Sequence, residues 1–138
     1  MAMPPTTPRD FLKAALQRLT TAEALLEILR ITLEAQYLGG YTVECALKAL
    51  ILEKTAAADR PITLGQLTHG AAPHRPEVLL GRLKGQGVSL TPQLAKRMRK
   101  FDWATDLRYE TGRRDTGETR ALLHTARAIY DWVEGQIS

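Results

Sequence analysis

The chain lacks several residue types, and each absence excludes a class of protein. One cysteine, Cys45, and two serines in 138 residues exclude a disulfide framework and leave almost no material for a serine triad. Aromatic residues make up 6% of the chain, and valine and isoleucine number 10 against 21 leucines and 18 alanines. Leucine and alanine lose little freedom in a helix, so this composition predicts an all-α fold.

Signals for export and membrane insertion are also missing from the sequence. No run of about 18 apolar residues is present, and residues 1–10 lack the basic start and apolar core of a signal peptide. Because paired cysteines are absent as well, we expect a cytoplasmic protein. The length fits one domain spanning residues 1–138.

Apolar periodicity predicts an antiparallel up-and-down bundle of four to five helices. The first helix begins at Thr7-Pro8, and a second helix over residues 32–54 is apolar on nearly every face, which is typical of a central helix. Gly39-Gly40 within it predicts close approach of a neighbouring helix. Further helices are predicted over residues 61–69, 73–83, from 91 and over 117–137.

The basic excess of the chain is confined to one segment. Residues 82–120 hold ten Lys/Arg against five Asp/Glu, whereas the remainder holds nine against ten. The densest part is a strip of four cations on the helix that begins at residue 91: Lys96, Arg97, Arg99 and Lys100. With Phe101, Trp103 and Tyr109 nearby, this pattern indicates either single-stranded nucleic-acid binding by charge and stacking or a solvated helix face beside core aromatics.

Glu44 and Lys48 lie one turn apart within the apolar second helix. Buried charges need partners. Two interpretations are open: a structural ion pair, with each other or with Arg108 and Asp106, or the lining of a polar groove.

The last helix carries Arg120 and His124, also one turn apart. An imidazole can move a proton while a guanidinium stabilises charge on a phosphate, so this pair is a candidate for RNA chemistry. The alternative is that both are ordinary surface residues. His69 and His74 are poorly spaced for a metal site, and Cys45 is expected in the core, so we predict neither a metal nor a cofactor.

The second predicted helix resembles the signature of the HEPN domain family in the run Ala35-Gln-Tyr-Leu-Gly-Gly-Tyr-Thr-Val-Glu-Cys-Ala-Leu-Lys-Ala-Leu-Ile51. The resemblance extends to Thr68-His69, to the run from Trp103 to Tyr109 and to the helical ending through Trp132. It implies a helical bundle that commonly forms homodimers. It also implies a minimal nucleotidyltransferase as partner, the two acting as toxin and antitoxin.

Many members of that family are metal-independent RNases that use an arginine followed, after four to six residues, by a histidine. Arg120 and His124 have three residues between them, and the chain contains no asparagine, which often follows that arginine. The sequence therefore departs from the nuclease motif in the spacing between its arginine and histidine and in the missing asparagine.

The resemblance and the charge pattern together predict a module that binds nucleotide or RNA, with an RNase that uses Arg120 and His124 as the alternative. The expected binding residues fall into two sets. A groove is formed by Tyr41, Glu44, Lys48, Arg108 and Tyr109, and the basic strip consists of Lys96, Arg97, Arg99 and Lys100.

Overall fold

A computed structural model describes residues 3–70, 74–101, 107 and 109–137. Within these residues the chain forms six α-helices, one 3-10 turn (Ala57–Asp59) and no strand. The helices are α1 (Pro8–Glu27), α2 (Thr32–Glu53), α3 (Arg60–Thr68), α4 (Pro76–Gly85), α5 (Pro92–Arg99) and α6 (Thr116–Glu134). The predicted all-α bundle is confirmed, and the described helices number six because the segment between α2 and α6 folds as three short helices.

Helix α1 begins where the sequence predicts, because local hydrogen bonds fix its first turn. The Thr7 hydroxyl accepts from the Asp10 backbone N–H at 3.1 Å, and the Asp10 carboxylate accepts from the Thr7 backbone N–H at 3.2 Å. Pro8 occupies the first helical position, where its missing N–H costs nothing.

Helix α2 is the central helix, as its apolar composition predicts. Sixteen of its 22 residues are buried, and it packs against α1, α3, α4 and α6. The apolar residues of its second half, between Val43 and Leu52, belong to the main hydrophobic core. A helix buried on most of its surface needs apolar residues on every face.

Helices α2 and α6 approach closely at Gly39, which confirms the prediction made from the glycine pair. A Cβ atom on Gly39 would lie 2.6 Å from Leu123 Cδ2 and 2.8 Å from Leu122 Cδ2. One turn earlier, the buried Gln36 Nε2 donates to Thr119 Oγ1 at 3.0 Å. Residue numbers rise together along the two helices, so α2 and α6 run in the same direction.

Helix α1 runs antiparallel to α6, as two ion pairs between these helices show. Glu23 pairs with Arg127 at 2.7 Å, and Glu27 pairs with Arg120 at 3.2 Å. Since α1 and α2 are joined by only four residues, Ile28 to Ile31, they also run in opposite directions. The short helices α3 to α5 therefore carry the chain back to the start of α6.

Three helices differ from their predicted bounds by two residues or more. Helix α4 is observed as Pro76–Gly85 rather than over residues 73–83. Helix α5 ends at Arg99, so Phe101 lies beyond the helix rather than on its apolar face, and Trp103 is outside the described residues. Helix α6 ends at Glu134, three residues before the predicted end. None of the helices in the described ranges is long and apolar enough to cross a membrane.

Candidate functional site

A cleft of about 330 Å³ lies between α5 and α6. One side is formed by the end of α5 and the two residues that follow the helix: Arg97, Lys100 and Phe101. The other side is formed by α6: Glu118, Ala121, Leu122, His124 and Thr125. The cleft thus combines cations, one carboxylate, one imidazole and an apolar floor.

Helix α5 presents the basic strip to solvent. Its start is capped by the Thr91 hydroxyl, which accepts from the Leu94 backbone N–H at 3.3 Å, and Leu94 is its only buried residue. The strip consists of four exposed cations: Lys96, Arg97, Arg99 and Lys100. In the described part of the chain none of the four forms an ion pair. Their charge is therefore not neutralised by the protein residues that the structure describes.

Phe101 is the aromatic residue that lines this cleft. Its backbone N–H donates to the Met98 carbonyl at 3.1 Å, which continues the turn after α5. The ring is half-buried and packs against all three apolar clusters of the protein. Part of an aromatic ring therefore remains available beside the basic strip.

Helix α6 supplies the opposite wall and begins at a capped N-terminus. The Asp115 carboxylate accepts from the Glu118 backbone N–H at 2.8 Å, which fixes the first turn of the helix. The Glu118 carboxylate is exposed in the cleft and forms no ion pair among the described residues.

The two RNase candidates, Arg120 and His124, have different surroundings. The Arg120 guanidinium pairs with Glu27 of α1 at 3.2 Å. It lines a second, smaller cleft of about 210 Å³ that also contains Glu23. His124 borders both clefts. The imidazole is therefore next to the basic strip, whereas Arg120 is held on the α1 side of the helix.

Glu44 and Lys48 form a buried ion pair. Lys48 Nζ donates to Glu44 Oε2 at 2.7 Å, and the two residues are only 3% and 4% exposed. The half-buried His74 completes the cluster, with Nδ1 2.8 Å from the same Oε2 atom and 3.3 Å from Lys48 Nζ. The shorter distance favours donation from His74 Nδ1 to Glu44. Of the two interpretations left open by the sequence, this geometry corresponds to the ion pair.

The remaining residues of the predicted groove are only partly described. The Tyr41 and Tyr37 hydroxyls lie 3.0 Å apart, with their rings in an edge-to-face arrangement at 4.9 Å. Tyr109 is 75% exposed. Arg108 and Asp106 lie outside the described residues, so the predicted contact of Glu44 and Lys48 with them stays a prediction.

Cys45 and His69 make structural contacts away from the candidate clefts. Cys45 is half-buried, so it lies at the edge of the core rather than inside it as predicted. Cys45 packs against the main core, and burial, followed by the charge of Glu44, raises the pKa of its thiol to about 11. His69 ends α3, with Nδ1 2.7 Å from the Gly65 carbonyl oxygen. In the residues that the structure describes, no group of three metal-ligating side chains comes together.

Sequence reasoning missed two features of these sites. It did not connect His74 to Glu44, because the two residues are separated by 30 positions and lie on different elements. It also did not place Glu118 near the basic strip, since only the packing of α5 against α6 brings them to one cleft. No local pattern in the sequence signals either contact.

Comparison with known proteins gives one match. The sequence model of the HEPN domain matches residues 8–136, which is nearly the whole chain. Searches of curated proteins and of solved structures give no match.

Proposed function

Since the chain belongs to the HEPN domain family, we propose that it is a helical module that binds RNA or nucleotide in the α5–α6 cleft. One observation carries this proposal: the four exposed cations of the basic strip form no ion pair within the described chain, and two of them, Arg97 and Lys100, line a cleft with an apolar floor. Cations kept free of acidic partners attract anions.

The chemistry of the cleft suits a phosphorylated ligand. Arg97 offers a planar fork of donors that matches phosphate oxygens, and Lys100 adds a second positive charge. The exposed part of Phe101 provides a surface against which a base can stack. Glu44 and Lys48 support the fold beneath α4 in this proposal, because their charged atoms are buried against each other.

The proposal includes the partners that the family resemblance implies. These are a second copy of this chain and a minimal nucleotidyltransferase, the two proteins acting together as toxin and antitoxin. Co-purification of a nucleotidyltransferase encoded next to this chain tests the partnership, and failure of the two purified proteins to associate would contradict it.

The binding experiment compares two double variants that remove the same charge. Arg97→Ala/Lys100→Ala removes two cations from the cleft, whereas Lys13→Ala/Arg18→Ala removes two exposed cations from α1. Fluorescence anisotropy with a labelled single-stranded RNA measures affinity over a range of salt concentrations. We expect the cleft variant to bind more weakly and its salt dependence to fall by roughly one unit of slope per lost phosphate contact. Equal losses in both variants would show that only net charge matters and would contradict a site at the cleft.

RNA cleavage is the second candidate function, because His124 lines the same cleft as the basic residues. A phosphate held by Arg97 and Lys100 would lie beside an imidazole able to transfer a proton. A cleavage assay with the wild type, His124→Ala and Arg120→Ala tests this. Loss of cleavage in the His124 variant supports an RNase. Equal cleavage by wild type and variants removes both residues from the mechanism.

A further inference from the structure

We propose that Glu118 makes the α5–α6 cleft select the base of its ligand, with guanine preferred and uracil disfavoured. This inference rests on the nucleotide-binding function proposed above and adds a specificity to the same site.

The cleft contains charges of both signs that do not neutralise each other. Arg97 and Lys100 line one wall and Glu118 lines the other, yet no ion pair joins them in the described structure. Asp115 holds the Glu118 backbone in the first turn of α6 through the 2.8 Å hydrogen bond. A carboxylate in a phosphate site weakens anion binding by repulsion. The exposed carboxylate can instead accept hydrogen bonds from another part of the ligand.

The four bases differ in what they offer a carboxylate. Guanine presents two adjacent donors, N1–H and the N2 amino group, which match the two oxygens of one carboxylate. Adenine and cytosine each present a single amino group at that edge. Uracil presents one N–H between two carbonyl oxygens, and these repel a carboxylate. The Glu118 side chain therefore ranks guanine first and uracil last.

The size and lining of the cleft fit one nucleotide. Its volume of about 330 Å³ lies at the lower end of the roughly 300–1,000 Å³ typical of small-molecule sites. Ala121, Leu122 and Phe101 supply an apolar surface for the flat face of a base. The cations and the carboxylate lie on opposite walls, so the phosphate and the base edge of one nucleotide can be contacted at the same time.

Calorimetric titration with the four ribonucleoside 5′-monophosphates tests the inference. In the wild type we expect guanosine monophosphate to bind about fivefold or more tightly than uridine monophosphate, the factor for one two-point base contact. Glu118→Gln should bring that ratio close to one. The matched control is Glu77→Gln, which changes an exposed glutamate in the first turn of α4 and should leave the ratio unchanged.

The outcomes separate this inference from the proposed function. Equal affinity of the wild type for all four nucleotides would overturn base selection while leaving RNA binding intact. A preference for guanine that survives Glu118→Gln would overturn the role of Glu118. If neither the nucleotides nor single-stranded RNA bind, the proposed function fails, and the inference fails with it.

Discussion

Removing the charge of Lys48 tests whether the buried cluster supports the fold. Lys48→Met keeps an unbranched side chain of similar length but leaves the Glu44 carboxylate buried with one remaining partner, His74. Breaking a buried ion pair by removing one partner costs about 3–5 kcal/mol. Because His74 Nδ1 remains 2.8 Å from the carboxylate and can donate a hydrogen bond to it, we expect a loss near the lower limit.

The free energy of unfolding is measured by urea denaturation, with thermal unfolding as a second readout. A loss of about 3 kcal/mol should lower the Tm of a domain of this size by roughly 10 °C. Lys54→Met is the matched control, since Lys54 is an exposed lysine that caps the end of the same helix. Its stability should stay within about 0.5 kcal/mol of the wild type. The double variant Glu44→Leu/Lys48→Met removes both charges and should recover much of the loss.

A Lys48→Met protein as stable as the wild type would refute this reasoning. If that variant also lost nucleotide binding, Lys48 would belong to a ligand-binding groove, which is the other interpretation left open by the sequence. Loss of stability without a change in the affinity of the folded protein for RNA would confirm a structural ion pair.

Four further predictions follow from local geometry. Gly39→Ala should destabilise the protein by about 1–2 kcal/mol in urea denaturation, because its Cβ would clash with Leu123. Gly81→Ala, in open space within α4, should instead stabilise it by up to about 1 kcal/mol. Because its thiol pKa is raised to about 11, Cys45 should be about 0.1% ionised at pH 8. It should therefore react with a thiol reagent far more slowly than in the unfolded chain, where its pKa is near 8.5. Rapid labelling of the native protein would contradict its burial. Arg30 has a φ of 56°, a conformation that favours glycine. Arg30→Gly should therefore raise the free energy of unfolding by up to about 1 kcal/mol. A fall in Tm would show that the contacts of the arginine side chain stabilise the protein more than its backbone conformation destabilises it.

The sequence predicted the long helices well because their signals are local. The Thr7 cap and the proline after it fix the start of α1 through hydrogen bonds within four residues. Helix α2 was predicted over residues 32–54 and is observed as Thr32–Glu53, since continuous apolar residues mark it along its length. The end of α5 was predicted too late. Phe101 continues the apolar spacing of the helix, but the ring packs on the core from the turn after it.

The candidate site was predicted only in part, because it depends on packing between distant segments. The cations of α5 are visible in the sequence as a cluster, and the structure leaves them exposed. Two of these cations, Arg97 and Lys100, lie in one cleft with Glu118 and His124 only because α5 packs against α6. In the same way, the 2.8 Å contact between Glu44 and His74 joins two residues that are 30 positions apart in the sequence. Composition and periodicity do not predict contacts between residues that are far apart in the sequence.

The ion pairs also show which cations of the basic segment are neutralised by acidic residues and which are not. Among its ten Lys/Arg residues, Arg120 is neutralised by Glu27, an acidic residue of α1 outside the segment. Arg114 pairs with Glu110 inside the segment. The four cations of the basic strip have no such partners among the described residues, and neither do Arg82, Lys84 and Arg113. Of these unpaired cations, Arg97 and Lys100 line the cleft that also holds His124 and Glu118, so we expect an anionic ligand to be attracted to that cleft.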